Sequence, residues 1–187
     1  MKKLILTAAA VFALGIANGQ EQTKSGKLLV EVNTGFGGSS AGDGAAVGST
    51  ALGFTSYDGV STLNIGAEGG YFIMDNLALK VGLGYGSVSP KGGDSQSVFG
   101  YKIGAKYYVS GMIPVEVSYN GASNSATPSG AKVPSWIGLQ AGYAVFLGDM
   151  VSLEPGIRYN YGLLSKDDNG GVDTSVLQFN LGFVLHF

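Results

Sequence analysis

Across eight segments from Leu28 to Phe187 the chain alternates apolar and polar side chains with a period of two, and its charges keep to one parity of that alternation. Two is the strand period, because successive side chains of a strand point to opposite faces of a sheet. The apolar faces are Leu28, Val30, Val32, Thr34, Phe36; Leu63, Ile65, Ala67, Gly69, Tyr71, Ile73; Leu77, Leu79, Val81, Leu83, Tyr85; and Phe99, Tyr101, Ile103, Ala105, Tyr107, Val109. They continue as Val115, Val117, Tyr119; Ile137, Leu139, Ala141, Tyr143, Val145, Leu147; Val151, Leu153, Pro155, Ile157, Tyr159, Tyr161; and Leu177, Phe179, Leu181, Phe183, Leu185, Phe187. The opposite parity carries Glu31, Glu68, Lys80, Lys102, Lys106, Glu116, Glu154 and Arg158, among Asn33, Asn64, Gln140, Asn160, Gln178, Asn180 and many glycines. No charge falls on an apolar face. Contact with hydrocarbon demands that exclusion, since each Lys or Arg at mid-depth on a lipid face costs about 2–4 kcal/mol.

Beyond the first twenty residues no apolar run is long enough to cross a bilayer as a helix. A spanning form must therefore be strands closed on themselves, so that every main-chain group is paired. The connections alternate in length: Met74-Asp75-Asn76, 110–113 and Gly148-Asp149-Met150 are tight, whereas 37–59, 88–96, 121–134 and 162–173 are longer and rich in Gly, Ser, Asn and Asp. Together these features predict one all-β domain, a closed antiparallel up-and-down transmembrane barrel of about eight strands.

A soluble carrier with its apolar face inward would show the same alternation. The apolar parity, however, holds the bulky rings, from Phe36 and Tyr71 to Tyr159 and Tyr161, more volume than an eight-stranded interior readily takes. The polar parity is the small one, with Gly66, Gly82, Gly84, Gly100, Gly104, Gly138 and Gly156, which suits a crowded lumen and would weaken a solvent face. Composition agrees: charged residues are only 13% and glycines number 32, both far from an ordinary soluble domain. Aromatic girdles are expected from Phe36, Tyr85, Tyr101, Tyr119, Trp136, Tyr159 and Tyr161 toward the loops, and from Tyr71, Tyr107 and Phe187 toward the turns. Pro155, which has no main-chain N–H, predicts a bulge beside Gly156.

Export is read from the N-terminus, where Lys2 and Lys3 precede the apolar stretch 4–16 and the small-residue site Ala17-Asn18-Gly19. Residues 1–19 are expected to be a cleaved signal peptide and 20–187 the barrel domain, with Gln20 first. There is no cysteine, so disulfides, thiolate metal sites and a cysteine nucleophile are excluded. Without Lys2 and Lys3 the 11 basic residues fall to nine against 13 acidic ones, a formal net charge of −4, and no nucleic acid is expected as a partner.

The eight charges of the polar parity balance, four acidic against four basic, and are expected to meet as a structural cluster inside the barrel, since a buried charge is tolerable only when paired. Lys106 with Glu116 and Glu68 with Lys80 are the expected ion pairs across their hairpins, with Arg158 and Lys102 higher in the lumen. A narrow path for small or apolar solutes is the alternative, with Val176 and Val184 as its lumenal apolar residues. No catalytic, metal or cofactor site is expected. The one histidine, His186, stands at the turn end of the last segment, away from the loops. Asp167, Asp168, Asn169 and Asp173 superficially suggest a calcium loop, but its twelfth position is Gln178, where the bidentate Glu is required. Gly82-Leu83-Gly84-Tyr85-Gly86 lies inside a strand with no helix after it, so it cannot cradle a phosphate.

The terminal series Phe179, Leu181, Phe183, Leu185 and Phe187 resembles the last strand of bacterial outer-membrane barrels. The run Gly70-Tyr71-Phe72-Ile73-Met74-Asp75-Asn76-Leu77-Ala78-Leu79 resembles the first periplasmic hairpin of the outer membrane beta-barrel family common in Bacteroidetes-type bacteria, related in architecture to OmpX and OmpA. Leu153-Glu154-Pro155-Gly156-Ile157-Arg158-Tyr159 extends the likeness over the mature chain. The resemblance implies a non-catalytic, monomeric protein of the outer membrane with surface-exposed loops for interaction or structural support. Its partners would be membrane lipid, the barrel assembly machinery, which would read the terminal strand as an insertion signal, and an unidentified loop ligand.

Overall fold

The computed structural model describes residues 21–36, 53–57, 59–124, 135–163 and 175–187. The expected signal peptide and the Asp167, Asp168, Asn169 and Asp173 loop lie outside them. Ten strands form one sheet: β1 (Leu28–Phe36), β2 (Gly53–Tyr57), β3 (Val60–Met74), β4 (Leu77–Pro90), β5 (Gln96–Val109), β6 (Ile113–Asn124), β7 (Ser135–Gly142), β8 (Val145–Phe146), β9 (Val151–Gly162) and β10 (Val176–His186). All pairings are antiparallel, and β1 closes the sheet by bonding to both β10 and β3. β7 and β8 are one wall strand interrupted at Tyr143 and Ala144 near its turn end, and β2 lies beside the loop-end part of β3. The wall is therefore an eight-stranded closed barrel, with β2 as an extra strip.

Parity decides what points where. Along β10 Val176, Gln178, Asn180, Gly182, Val184 and His186 are buried, while the residues between them face out. No charged residue of the described strands faces outward. The polar parity is small because long side chains must fold over it: a Cβ on Gly138 would collide with the Arg158 guanidinium.

Two local expectations need correction. The wall keeps its register past Pro155, from Gly142↔Gly156 to Val145↔Leu153, two residues on each side, so no bulge forms there. Tyr143 still donates its N–H to the Pro155 carbonyl at 3.0 Å; what is lost is the return bond that Pro155 cannot donate. The irregularity lies instead in β3, between Phe72 and Met74, beside the Asp75-Asn76 turn. The connection 88–96 is shorter than expected, with 91–95 alone outside the strands, because β4 runs to Pro90 and β5 starts at Gln96. These serine-rich ends lack the apolar alternation, yet the hairpin ladder continues through them.

The turn end is closed. Residues 21–27 cross beneath it, with Gln22 donating to the Gly148 carbonyl, Thr23 Oγ1 to Asn76 Oδ1 at 2.6 Å, and the Ser25 N–H to Asp75 Oδ1 at 2.9 Å. Asn76 holds the left-handed conformation (φ 67°) that its side chain tolerates in a tight turn. Lys24 hydrogen-bonds to Glu21 at 2.8 Å, which holds the Glu21 carboxyl below its usual range. Above this strap Leu29, Phe72, Ala78, Tyr108, Ala144 and Val184 pack into an apolar floor inside the barrel. Toward the loop end Val98, Ala122 and Trp136 form a second apolar layer. Apolar lumenal residues are thus not confined to Val176 and Val184.

Candidate functional site

Between the two apolar layers lie all eight charges, each at most 5% exposed. Lys80, on β4, is the hub. Its ammonium lies 2.5 Å from Glu31, 2.6 Å from Glu68 and 2.7 Å from Glu116, carboxylates delivered by β1, β3 and β6. One oxygen from each of these three acids falls within a 4.8 Å cluster, a donor set that could hold a divalent cation. The lysine supplies that positive charge itself. Lys106 reaches Glu31 at 2.8 Å and Glu154 at 2.5 Å, and Lys102 reaches Glu68 at 2.8 Å and Glu116 at 2.6 Å.

Of the two expected pairs, Glu68 with Lys80 is made. Lys106 stands opposite Glu116 in the ladder but turns across the lumen to Glu31 and Glu154. A lysine chain is long enough to choose any wall of so narrow a barrel, so ladder neighbours are not obligatory partners.

Arg158 anchors the loop-end side. Its guanidinium donates to Glu116 Oε1 at 2.9 Å, Gln140 Oε1 at 3.1 Å, Ser118 Oγ at 2.5 Å and Asn120 Oδ1 at 3.3 Å, and its Nε to Asn160 Oδ1 at 2.9 Å. Asn160 passes the chain to Gln178 at 3.3 Å. Four carboxylates and four cations give the network zero formal charge. Removing one member of such a buried network leaves an uncompensated charge, at a cost of about 3–5 kcal/mol.

His186 is not an interfacial side chain. It is fully buried in the floor, against Phe72, Tyr108 and Phe146, with Nε2 3.0 Å from Ser152 Oγ. Ser152 in turn donates to Glu154 Oε1 at 3.1 Å, and Tyr108 donates to the same oxygen at 2.8 Å. The residue types suggest a hydrolytic relay, but the order is wrong: the carboxylate holds the serine instead of orienting the imidazole. Ser152 and Tyr108 were available from the sequence, since both alternate with outward neighbours, but nothing marked them as partners of His186.

On the outside, Phe179, Leu181, Phe183 and Phe187 are exposed and Leu185 is half-buried. Tyr85, Tyr119, Tyr159 and Tyr161 face out toward the loop end, and Tyr71, Tyr107 and Phe187 toward the turns. Trp136 departs from the expected girdle. It shares the parity of Gly138 and Gln140 and is fully buried in the lumen.

No protein-family description and no curated protein matches this sequence. Solved structures do match its fold. The outer membrane protein Ail of Yersinia pestis, determined in a phospholipid bilayer nanodisc, has a TM-score of 0.51 at 9% identity, over 87% of this chain and 100% of that one. The outer membrane protein OprG of Pseudomonas aeruginosa has a TM-score of 0.50 at 11% identity, over 89% of this chain and 98% of that one. At such identities the likeness is one of fold, and the fold is that of the small outer-membrane barrels.

Proposed function

We propose that this chain is an integral, monomeric barrel of a bacterial outer membrane that neither catalyses a reaction nor conducts solutes, and that supports the membrane or meets other molecules through its loop-end surface. The observation that carries this reading is the Lys80 hub, a neutral network strung across the lumen between two apolar layers. Membrane residence is supported by the uncharged outer face, and the outer membrane by the fold. On this reading residues 1–19 direct export, mature protein starts at Gln20, and the assembly machinery reads Phe179, Leu181, Phe183, Leu185 and Phe187.

A narrow solute path is the second reading, favoured by the amides of Gln140, Asn120, Asn160 and Gln178 that line the loop-end half of the lumen. Swelling of proteoliposomes in small neutral solutes decides between the two: no swelling above protein-free vesicles is expected, and rapid swelling supports the path. Deleting Phe187 should reduce recovery in outer-membrane fractions, and unchanged recovery would count against an insertion signal.

A further inference from the structure

The seam between β1 and β3 is built differently from the others. It has four rungs, from Leu28↔Tyr71 to Glu31↔Glu68, where β3 and β4 share fourteen. Above Glu31 the strand stays with β10 as far as Phe36↔Phe179, while β3 takes β2 as its neighbour from Gly53↔Asn64 onward. Among the described residues nothing pairs with Ile65, Gly66 or Ala67 on that side. The ladder stops where two carboxylates stand directly opposite, an arrangement that destabilises strand pairing.

Main-chain direction shows what the slot presents. Phe72 bonds to Lys27 and Gly26, so the even-numbered residues of β3 turn their N–H and C=O toward β1. Leu28 bonds to Phe187, so the odd-numbered residues of β1 turn toward β3. Gly66 and Asn33, two rungs beyond Glu31↔Glu68 and the next that would exchange hydrogen bonds, therefore both aim main-chain groups into the slot. On the outer face the slot borders a shallow, open-sided cavity of about 420 Å³ lined by Val32, Ile65, Ala67, Leu83, Tyr85 and Phe99. On the inner face Asn33 donates to Glu31 and Glu68, and the buried Asn64 Oδ1 accepts from no described group.

Hydrocarbon alone would fill the outer cavity and offer no partner to the Gly66 groups, which have no ladder partner on that side among the described residues, and an unpaired group is costly at membrane depth. A carboxylate head would meet Glu31 and Glu68, whose cations are already engaged. We propose that the slot between β1 and β3 binds a neutral single-chain amphiphile, its chain in the apolar cavity and a hydroxyl- or amide-bearing head at Gly66, Asn33 and Asn64. This rests on the reading that the outer face lies in lipid, which failure to insert into a bilayer would overturn separately.

The test uses the barrel folded into phosphatidylcholine nanodiscs with a monoacylglycerol carrying a diazirine in its chain, photolysed and mapped by peptide mass spectrometry. Adducts are expected to concentrate on β1, β3 and β4 around Val32, Ala67 and Leu83, to fall at least fivefold with excess unlabelled monoacylglycerol, and to persist with the same excess of fatty acid. Ala67→Trp, which fills the cavity, should lose them, whereas Ala141→Trp, outward on the far wall, should keep them. Labelling spread evenly around the barrel, or competed equally by both lipids, would overturn the proposal, and the wild-type map alone suffices if Ala67→Trp does not fold.

Discussion

The two halves of the lumen solve the problem of a polar interior differently. In the turn-end half Glu31, Lys80, Lys106 and Glu154 are at most 1% exposed and rest on the floor of Leu29, Phe72, Tyr108 and Val184, so charge pairs directly with charge in dry surroundings. In the loop-end half Lys102 and Arg158 are slightly exposed, and Arg158 shares one carboxylate with four uncharged acceptors. A charge held by several amides and hydroxyls can lose one partner and keep the rest. In the dry half the partners are themselves charged, so each one lost leaves a buried ion with less compensation, and that difference ranks the consequences of substitution.

Lys80→Ala should have the largest effect, at least about 3–5 kcal/mol of folding stability, because three carboxylates lose their common cation. Urea unfolding in lipid vesicles measures it, with Lys102→Ala as the loop-end counterpart; an equal or larger loss at Lys102 would erase the distinction between the halves. Leu139→Arg probes the wall independently and should cost about 2–4 kcal/mol in the same assay if that side chain lies at mid-depth in lipid. No loss would mean that the outer face meets water.

Tyr108→Phe removes only the hydroxyl that donates to Glu154 and should cost about 1.5–3 kcal/mol, the range for a hydrogen bond to a charged group. Gln178→Ala, which removes an amide accepting from Asn160, should have the smallest effect, about 0.5–1.5 kcal/mol. Reversal of that order would place the dry half at the wrong end.

The barrel and its inside-out parity were legible because lipid enforces a simple rule: one charge on the outer parity is expensive, so eight charges on the other parity locate the lumen. Where lipid imposes nothing the pattern fades. The ends of β4 and β5 carry Ser87, Ser89 and Ser97 on the outward parity, and β2 is five residues long, so none of these read as strand. Trp136 and the floor residues Leu29, Phe72 and Tyr108 could have been placed inside by parity, which carried more weight than the general tendency of aromatics to sit at interfaces. The partners of Lys106 were not legible, because side chains meeting across a lumen belong to strands distant in sequence.

The central claim, a lumen sealed by its own charges, meets its most direct test in single-channel recording from wild-type protein in a planar bilayer. Eight strands enclose a space that side chains fill, whereas open aqueous channels belong to barrels of about 16–18 strands. A silent membrane is expected, with conductance appearing only when the hub is removed in a folded fraction of Lys80→Ala. Steady, large conductance from the wild type would contradict it.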